Sequence, residues 1–347
     1  MKPPRRILVA CDKFKGSLDA AAACGAIARG LKRRFADAAI ISKPIADGGE
    51  GFAASLEGPL AGRWIETQAH DALGREITAR YLMAGPLAVM EMAEASGMWR
   101  IKPEERDVLR ASTFGTGEMI RHAAVESGAK RIVIGLGGSA TNDGGAGMAE
   151  ALGIRFLAEA ADMSGRIALP PITAACDVEN PLLGPDGATR VFGPQKGADE
   201  TTIPILESRL AALVFACGGD ANAIKPGAGA AGGLGFGLLQ FADAELVPGF
   251  ELLASLTGLE EEIAAADLVV TGEGSLDSQS LSGKGPVALA RLARKHGKPV
   301  IAFCGRADET IRGCGLFDAV TDLTATGLPA DELMSRAAEL LEDAAGH

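Results

Sequence analysis

The sequence predicts an α/β protein: an open parallel sheet covered on both faces, with a second, mixed α/β domain inserted into it. Three observations point there. Short β-branched runs alternate with amphipathic helical patterns at both ends of the chain. Strand-like runs with little room for helices crowd the middle. Glycine, at 46 of 347 residues, clusters between apolar runs, at roughly twice its usual share of about 7%.

The elements follow in order. Ile7-Leu-Val-Ala-Cys11 reads as the first strand, followed by a helix with Ser17 as its N-cap and Ile27, Leu31 and Phe35 repeating at helical spacing. A second strand is expected over 39–45. Runs at 63–69, 75–83 and 87–92 read as strands, the first two joined by an Asp71-Ala-Leu-Gly74 turn. Strands at 131–136 and 172–177 and helices near 115–128 and 142–152 complete the middle. Strands at 267–271, 299–303 and 319–323 then alternate with helices at 286–296 and 330–343. This places a discontinuous domain at 1–60 and 262–347 and an inserted domain at 61–261. The acidic C-terminal helix reads as a solvated face, and residues 344–347 as a frayed end.

Charge narrows the function. With 34 basic and 45 acidic residues the net charge is −11 and the pI is near 5.0, which disfavours nucleic acid as a partner. Six cysteines without a C-x-x-C pair read as reduced thiols, pointing to the cytoplasm. The uncharged stretch at 226–242 is too short and too rich in glycine for a membrane span, and the apolar run at 7–11 too short for a signal peptide. His122 and His296 lie in helical patterns without a partner motif.

Four loops gather glycine and charge. Asp12-Lys13-Phe14-Lys15-Gly16-Ser17 sets two lysines beside a helix start, where free N–H groups favour an anion. Ala46-Asp47-Gly48-Gly49-Glu50-Gly51 pins two carboxylates among glycines. The loop from Gly135 through Gly137, Gly138, Ser139, Thr141, Asn142 and Asp143 to Gly147 satisfies the G-x-G-x-x-A dinucleotide pattern, with Glu159 and Asp162 further on. It also crowds hydroxyl, amide and carboxylate groups that a pyrophosphate turn does not need. Thr271-Gly-Glu273-Gly-Ser-Leu-Asp277, ending in Ser282-Gly283-Lys284-Gly285, supplies two carboxylates suited to a hard cation but no Walker A motif. Asp177 is expected at a strand's carboxyl end, and Lys196 sits among turn residues.

Anion-cradling loops, lysines without a basic surface and several loop carboxylates are what phosphoryl transfer to a small anion requires. The constellation favours a small-molecule kinase. A nicotinamide-dependent oxidoreductase, resting on the fingerprint at 135–140, and a non-catalytic sensor of sugar acids are the rival readings.

At these loops the sequence resembles the bacterial two-domain glycerate kinase family. The resemblance runs over almost the whole chain. It rests on Asp12-Lys-Phe-Lys-Gly-Ser17, Ala46-Asp-Gly-Gly-Glu-Gly51, Gly115-Thr-Gly-Glu118, the 135–147 loop, Phe192-Gly-Pro-Gln-Lys-Gly-Ala198, Gly229-Ala-Ala-Gly-Gly-Leu-Gly235, and Thr271-Gly-Glu-Gly with Asp277-x-Gln279 and Gly283-Lys284. Phe52 and Ser280 stand where threonine is expected.

The resemblance implies a flavodoxin-like domain carrying the second domain, a site in the cleft between them, and ATP-dependent phosphorylation of D-glycerate with Mg²⁺, the 2-hydroxyl being favoured. Another small hydroxy acid is the alternative acceptor, and a homo-oligomer is compatible with the sequence. Lys13, Lys15 and Lys284 are expected to neutralise phosphate or carboxylate, with Lys15 counted as catalytic. Gly137, Gly138, Ser139, Thr141, Asn142 and Lys196 are expected to hold one substrate. Glu273 and Asp277 are assigned to Mg²⁺, directly or through water. Asp47, Asp143 and Asp177 stand as alternatives for the general base, and which loop holds ATP stays open.

Overall fold

The computed structural model describes residues 3–46, 48–157, 160–278, 280–282 and 285–347. Strands lie at Arg6–Cys11 (β1), Ala39–Ser42 (β2), Arg63–His70 (β3), Glu76–Ala84 (β4), Leu87–Glu91 (β5), Arg131–Gly135 (β6), Arg155–Phe156 (β7), Ala161–Asp162 (β8), Ile172–Ala175 (β9), Glu245–Val247 (β10), Leu268–Leu276 (β11), Val300–Ala307 (β12) and Ala319–Asp322 (β13). The chain divides into two compact units. Met1–Asp47, Ala54–Leu60 and Phe250–His347 form the first, and Gly48–Ala53 with Ala61–Gly249 the second.

The division departs from the expected 61–261 at both ends. Residues 250–261 group with the first unit, where Lys43 Nζ donates to the Thr257 carbonyl at 2.8 Å and Leu259 is fully buried. Residues 48–53 group with the second, because Glu91 at the end of β5 accepts from the N–H groups of Gly51 (3.1 Å) and Ala53 (2.9 Å).

In the first unit five strands run parallel in the order β13-β12-β11-β1-β2. This is the flavodoxin-like order, in which winding reverses between β1 and β11. Residues 7–11 are buried throughout, as a central parallel strand with helices on both faces requires. Ile7, Val9 and Cys11 pack with Ile27 and Leu31 of the helix Ala20–Arg34 and with Leu341 of the helix Ala337–Gly346. Elsewhere on the sheet, Ala302 and Cys304 of β12 pack on Val287 of the helix Gly285–Lys295. Each large aliphatic buried this way contributes about 2 kcal/mol.

Three local expectations change. The first helix is capped by Asp19, whose carboxylate accepts from Ala22 N at 2.7 Å. Ser17 lies in the preceding turn, which the Phe14–Leu18 bridge closes, and donates to the Met334 carbonyl. The helix expected at 330–343 breaks at Arg336 into Ala330–Ser335 and Ala337–Gly346. The C-terminal turn is packed rather than frayed: Ala345 is buried, and Glu342 bridges Arg29 and Arg33 of the first helix.

The second unit holds a six-stranded sheet in the order β10-β9-β6-β5-β4-β3. Its first four strands run parallel; β4 and β3 complete it antiparallel. The β3–β4 hairpin turns on Asp71, whose Oδ1 accepts from the N–H groups of Leu73 and Arg75, with Gly74 at φ 82°. The short β7–β8 pair stands apart. His122 bonds the Tyr81 hydroxyl in this unit, and His296 bonds Glu260 in the first. Among the described residues no helix is long and apolar enough to cross a membrane. The uncharged 226–242 stretch instead forms the buried helix Ala230–Phe241, which packs against the loop after β6.

Candidate active site

In the first unit the charged loops sit at the carboxyl ends of the strands. The pairing of β1 with β11 continues past β1, as Asp12 N donates to the Gly272 carbonyl at 2.8 Å. Asp12 is buried and its Oδ1 accepts from Lys13 N at 2.6 Å, while Phe14 is buried beneath the turn. This turn delivers Lys13, half-buried, and Lys15, exposed, to the sheet's edge.

Thr271-Gly-Glu-Gly-Ser-Leu276 is not the loop the sequence suggested. β11 runs through it, with Glu273 opposite Cys304 and Ser275 opposite Arg306 of β12. The glycines make this possible: a Cβ on Gly272 would lie 2.1 Å from the Phe303 carbonyl oxygen. Glu273 Oε1 accepts from the Ser280 hydroxyl at 3.0 Å, so serine supplies here the hydroxyl a threonine would. Asp277 Oδ2 accepts from Ser275 Oγ at 3.4 Å.

These ends frame a cavity of about 510 Å³, lined by Asp12, Lys13, Lys15, Glu273 and Arg306 on its charged side. Asp277 is not part of this lining. Arg306 was missed from sequence because a lone arginine after a strand carries no signal. Lys284, Gly283, Gln279 and Asp47 lie outside the described residues, as does Glu159.

In the second unit the loop after β6 is longer than a dinucleotide turn. β6 ends at Gly135 and the next helix starts only at Ala146. Between them the chain folds against its neighbours: Gly137 N donates to the Gly48 carbonyl, Ala140 N to that of Ser96, and Gly144 N to that of Gly232. A pyrophosphate cradle needs the helix N-terminus directly behind the glycines, so the nicotinamide reading loses its support. Asp162 bonds Ser164 and Arg155, which hold its carboxyl down to about 2.

Within this loop the predicted residues divide. Gly137 and Gly138 reach the surface, while Ser139, Thr141 and Asn142 are buried. Lys196 does not meet solvent either; it is 3% exposed. Its Nζ donates to Ser139 Oγ at 2.8 Å and to the Thr141 carbonyl at 2.7 Å. Burial pulls its pKa from 10.5 down to about 7, with the Asp143 charge acting the other way. Asn142 Nδ2 donates to Thr189 Oγ1 at 2.9 Å, and the loop's far side rests on the helix Ala230–Phe241.

The carboxylates divide too. Asp143 is enclosed by donors: Oδ2 accepts from Thr113 N and Oγ1, both at 2.8 Å, and from Gly147 N at 3.2 Å, and Oδ1 from Gly145 N at 3.1 Å. It organises the start of the following helix, and its lone pairs are engaged. Asp177 follows β9 by two residues, is half-buried, and has Oδ1 held by Gly249 N at 2.8 Å. The Gly115-Thr-Gly-Glu118 segment is a packing device: a Cβ on Gly115 would lie 1.8 Å from the His70 carbonyl oxygen, and Glu118 accepts from His70 N at 2.8 Å. Thr113 and Glu91 carried no sequence signal, since their partners lie 30 or more residues away.

A doubly wound sheet with cations and two carboxylates at its carboxyl edge, lining a cavity, is an arrangement found in α/β enzymes that bind phosphorylated ligands. Known proteins narrow the class. The profile described as "Glycerate kinase family" matches residues 7–168 and 158–347, and the chain belongs to that family. It is 40% identical to "Glycerate kinase" of Halalkalibacterium halodurans, over 98% of this chain and 96% of that protein. It is 41% identical to "Glycerate 2-kinase" of Escherichia coli, over 88% and 86%. The solved structure of a putative glycerate kinase 2 from Salmonella typhimurium LT2 matches with TM-score 0.85 and 37% identity, covering 99% of this chain and 97% of that one.

Proposed function

We propose that this chain transfers the γ-phosphoryl group of ATP to the 2-hydroxyl of D-glycerate. The observation that carries this reading is the match to named glycerate kinases, which runs through both units at about 40% identity. In the reaction the acceptor oxygen forms a bond to the γ-phosphorus as the bond to the ADP oxygen breaks. The hydroxyl proton passes to a carboxylate, and the charge spread over the transferred group must be neutralised.

Asp177 is assigned as the base. It is half-buried just past a strand's carboxyl end, with Oδ1 accepting from Gly249 N, while Asp143 serves the start of the following helix by accepting from Thr113, Gly145 and Gly147. Ser139 accepts from Lys196, which leaves its own hydroxyl hydrogen to donate to an anionic ligand. The N–H groups of Gly138 and Ser139 take no partner among the described residues and are suited to the same anion.

Among the described residues no three His, Cys, Asp or Glu side chains form a metal cage. Mg²⁺ keeps waters and phosphate oxygens and takes one or two carboxylates. Glu273, on the cavity wall, would hold it. Mg²⁺ would neutralise charge on the phosphates.

Phosphorus NMR of the mixture after incubation with ATP, Mg²⁺ and D-glycerate tests the reading. ADP and 2-phosphoglycerate are expected; no phosphorylated acid would overturn it, and 3-phosphoglycerate would overturn the assigned position.

A further inference from the structure

The cavity in the first unit has a lining of two chemical kinds, and this identifies what it holds. Of its charged residues, Lys15 and Arg306 make no ion pair among the described residues, although acids are in excess across the chain. The only hydrogen bond of the Arg306 guanidinium among the described residues goes to Ser275 Oγ, at 3.3 Å. Lys13, Lys15 and Arg306 line the cavity together with Asp12 and Glu273, a mixture that suits a polyanion bound with a hard cation. Other lining residues are apolar: Leu323, Leu333 and Met334, with the small side chain of Ala330 at the start of its helix. Met334 is 47% exposed, so its side chain is open to a ligand in the cavity.

Size and place agree. About 510 Å³ is far more than a three-carbon acid fills, and lies within the roughly 300–1,000 Å³ range of sites for larger ligands. Most lining residues come from the ends of β1, β11, β12 and β13, around the point where the winding of the sheet reverses, and Ala330, Leu333, Met334 and Ala337 come from the two C-terminal helices. That crevice is where open α/β sheets bind nucleotides.

We infer that this cavity is the nucleotide subsite, with Lys15 and Arg306 on the phosphates and the base against Leu323, Leu333 and Met334. The inference rests on the phosphoryl-transfer reading above and adds the assignment of the donor to one unit, a base slot, and a role for Arg306. Glycerate is thereby assigned elsewhere.

Two substitutions at exposed positions test it in the full-length chain: Arg306→Ala among the charged lining residues and Ala330→Trp among the apolar ones. Binding of ADP and of pyrophosphate is measured by calorimetry without glycerate, with circular dichroism melts to verify folding. Arg306→Ala is expected to weaken both ligands by about ten-fold or more, the scale of a lost charge-assisted hydrogen bond. Ala330→Trp is expected to weaken ADP by about ten-fold and leave pyrophosphate unchanged. The KM for glycerate should stay constant in both. Unchanged ADP binding in both variants, or a raised KM for glycerate with that for ATP unchanged, would overturn the assignment. The two claims fail separately. A wild-type chain that binds ADP with this pattern but does not phosphorylate glycerate keeps the subsite and loses the function. A chain that turns over normally with ADP binding untouched keeps the function and loses the subsite.

Discussion

Replacing Lys196 with methionine removes a side chain that ties the 137–147 loop to the segment near 196, and its effect on stability should depend on pH. Methionine fills similar space but has no donor, so Ser139 Oγ and the buried Thr141 carbonyl each lose a hydrogen bond. Leaving such acceptors unsatisfied costs roughly 1–3 kcal/mol each.

The lysine brings a second, opposing effect. Its pKa is about 7 in the folded chain against 10.5 normally, because burial disfavours the charged form. Below pH 7 both states hold the proton, and the folded protein carries the full penalty of a buried charge. Between about 7 and 10.5 the unfolded chain binds one more proton than the folded one, so wild-type stability rises with pH. The variant has no such group. The stability gap between them should therefore be smallest near pH 6 and widen by about 2 kcal/mol from pH 7 to pH 9. Urea titrations followed by tryptophan emission measure this in the right place, since the only tryptophans, Trp64 and Trp99, both belong to the second unit. A gap that is flat across this range, or that narrows as pH rises, refutes the argument that burial neutralises Lys196.

The remaining substitutions separate chemistry from framework. Asp177→Asn should lower kcat by about a hundred-fold or more while leaving the urea midpoint unchanged, as steady-state assays and tryptophan emission would show. Asp143→Ala should instead cost about 2–4 kcal/mol in stability, because the donors of Thr113, Gly145 and Gly147 lose their acceptor. Glu273→Gln should raise the Mg²⁺ concentration needed for half-maximal turnover by about ten-fold, read from a metal titration at saturating ATP. In the first unit Glu342→Ala should cost at most about 1 kcal/mol, since Arg29 and Arg33 are more than half exposed. Gly30→Ala should cost more, as its Cβ would lie 2.1 Å from the Glu342 carbonyl oxygen; thermal melts by circular dichroism compare the two.

The parallel strands were legible because a strand buried on both faces must be a continuous apolar run, and 7–11 and 300–304 are such runs. The hairpin at 71–74 was legible because its turn chemistry is local. Glycine misled in the 271–276 segment, where it permits a close strand rather than marking a loop. What stayed hidden is non-local. Lys196 reaches Ser139 across 57 positions, Glu91 reaches Ala53 across 38, and Asp143 reaches Thr113 across 30. Each reads as an ordinary charged residue until the fold brings its partner. The acids of the C-terminal helix looked like a solvated face for the same reason: the arginines that bind Glu342 lie more than 300 positions earlier.

The glycine excess has a further meaning, which one substitution can decide by sign. The glycine clusters invite a phosphate cradle as their explanation, yet several of them press backbone on backbone within the second unit. Gly137 lies against Gly49, and Gly237 against Gly145. Gly237 sits in the regular part of the helix Ala230–Phe241, past the left-handed residues 231–233, so an alanine there meets no conformational penalty. In an ordinary helix interior Gly→Ala stabilises by about 1 kcal/mol. Here the new Cβ would lie 2.7 Å from Gly145 Cα and 2.8 Å from the Gly144 carbonyl oxygen, both backbone atoms with little freedom to yield. Overpacking of this kind costs about 1–3 kcal/mol. Gly237→Ala should therefore destabilise the second unit, with tryptophan emission shifting to lower urea, and should raise the KM of whichever substrate the loop holds. A stabilised variant with unchanged kinetics would mean that the helix does not support the loop, and that the loop's shape is set by its own hydrogen bonds alone.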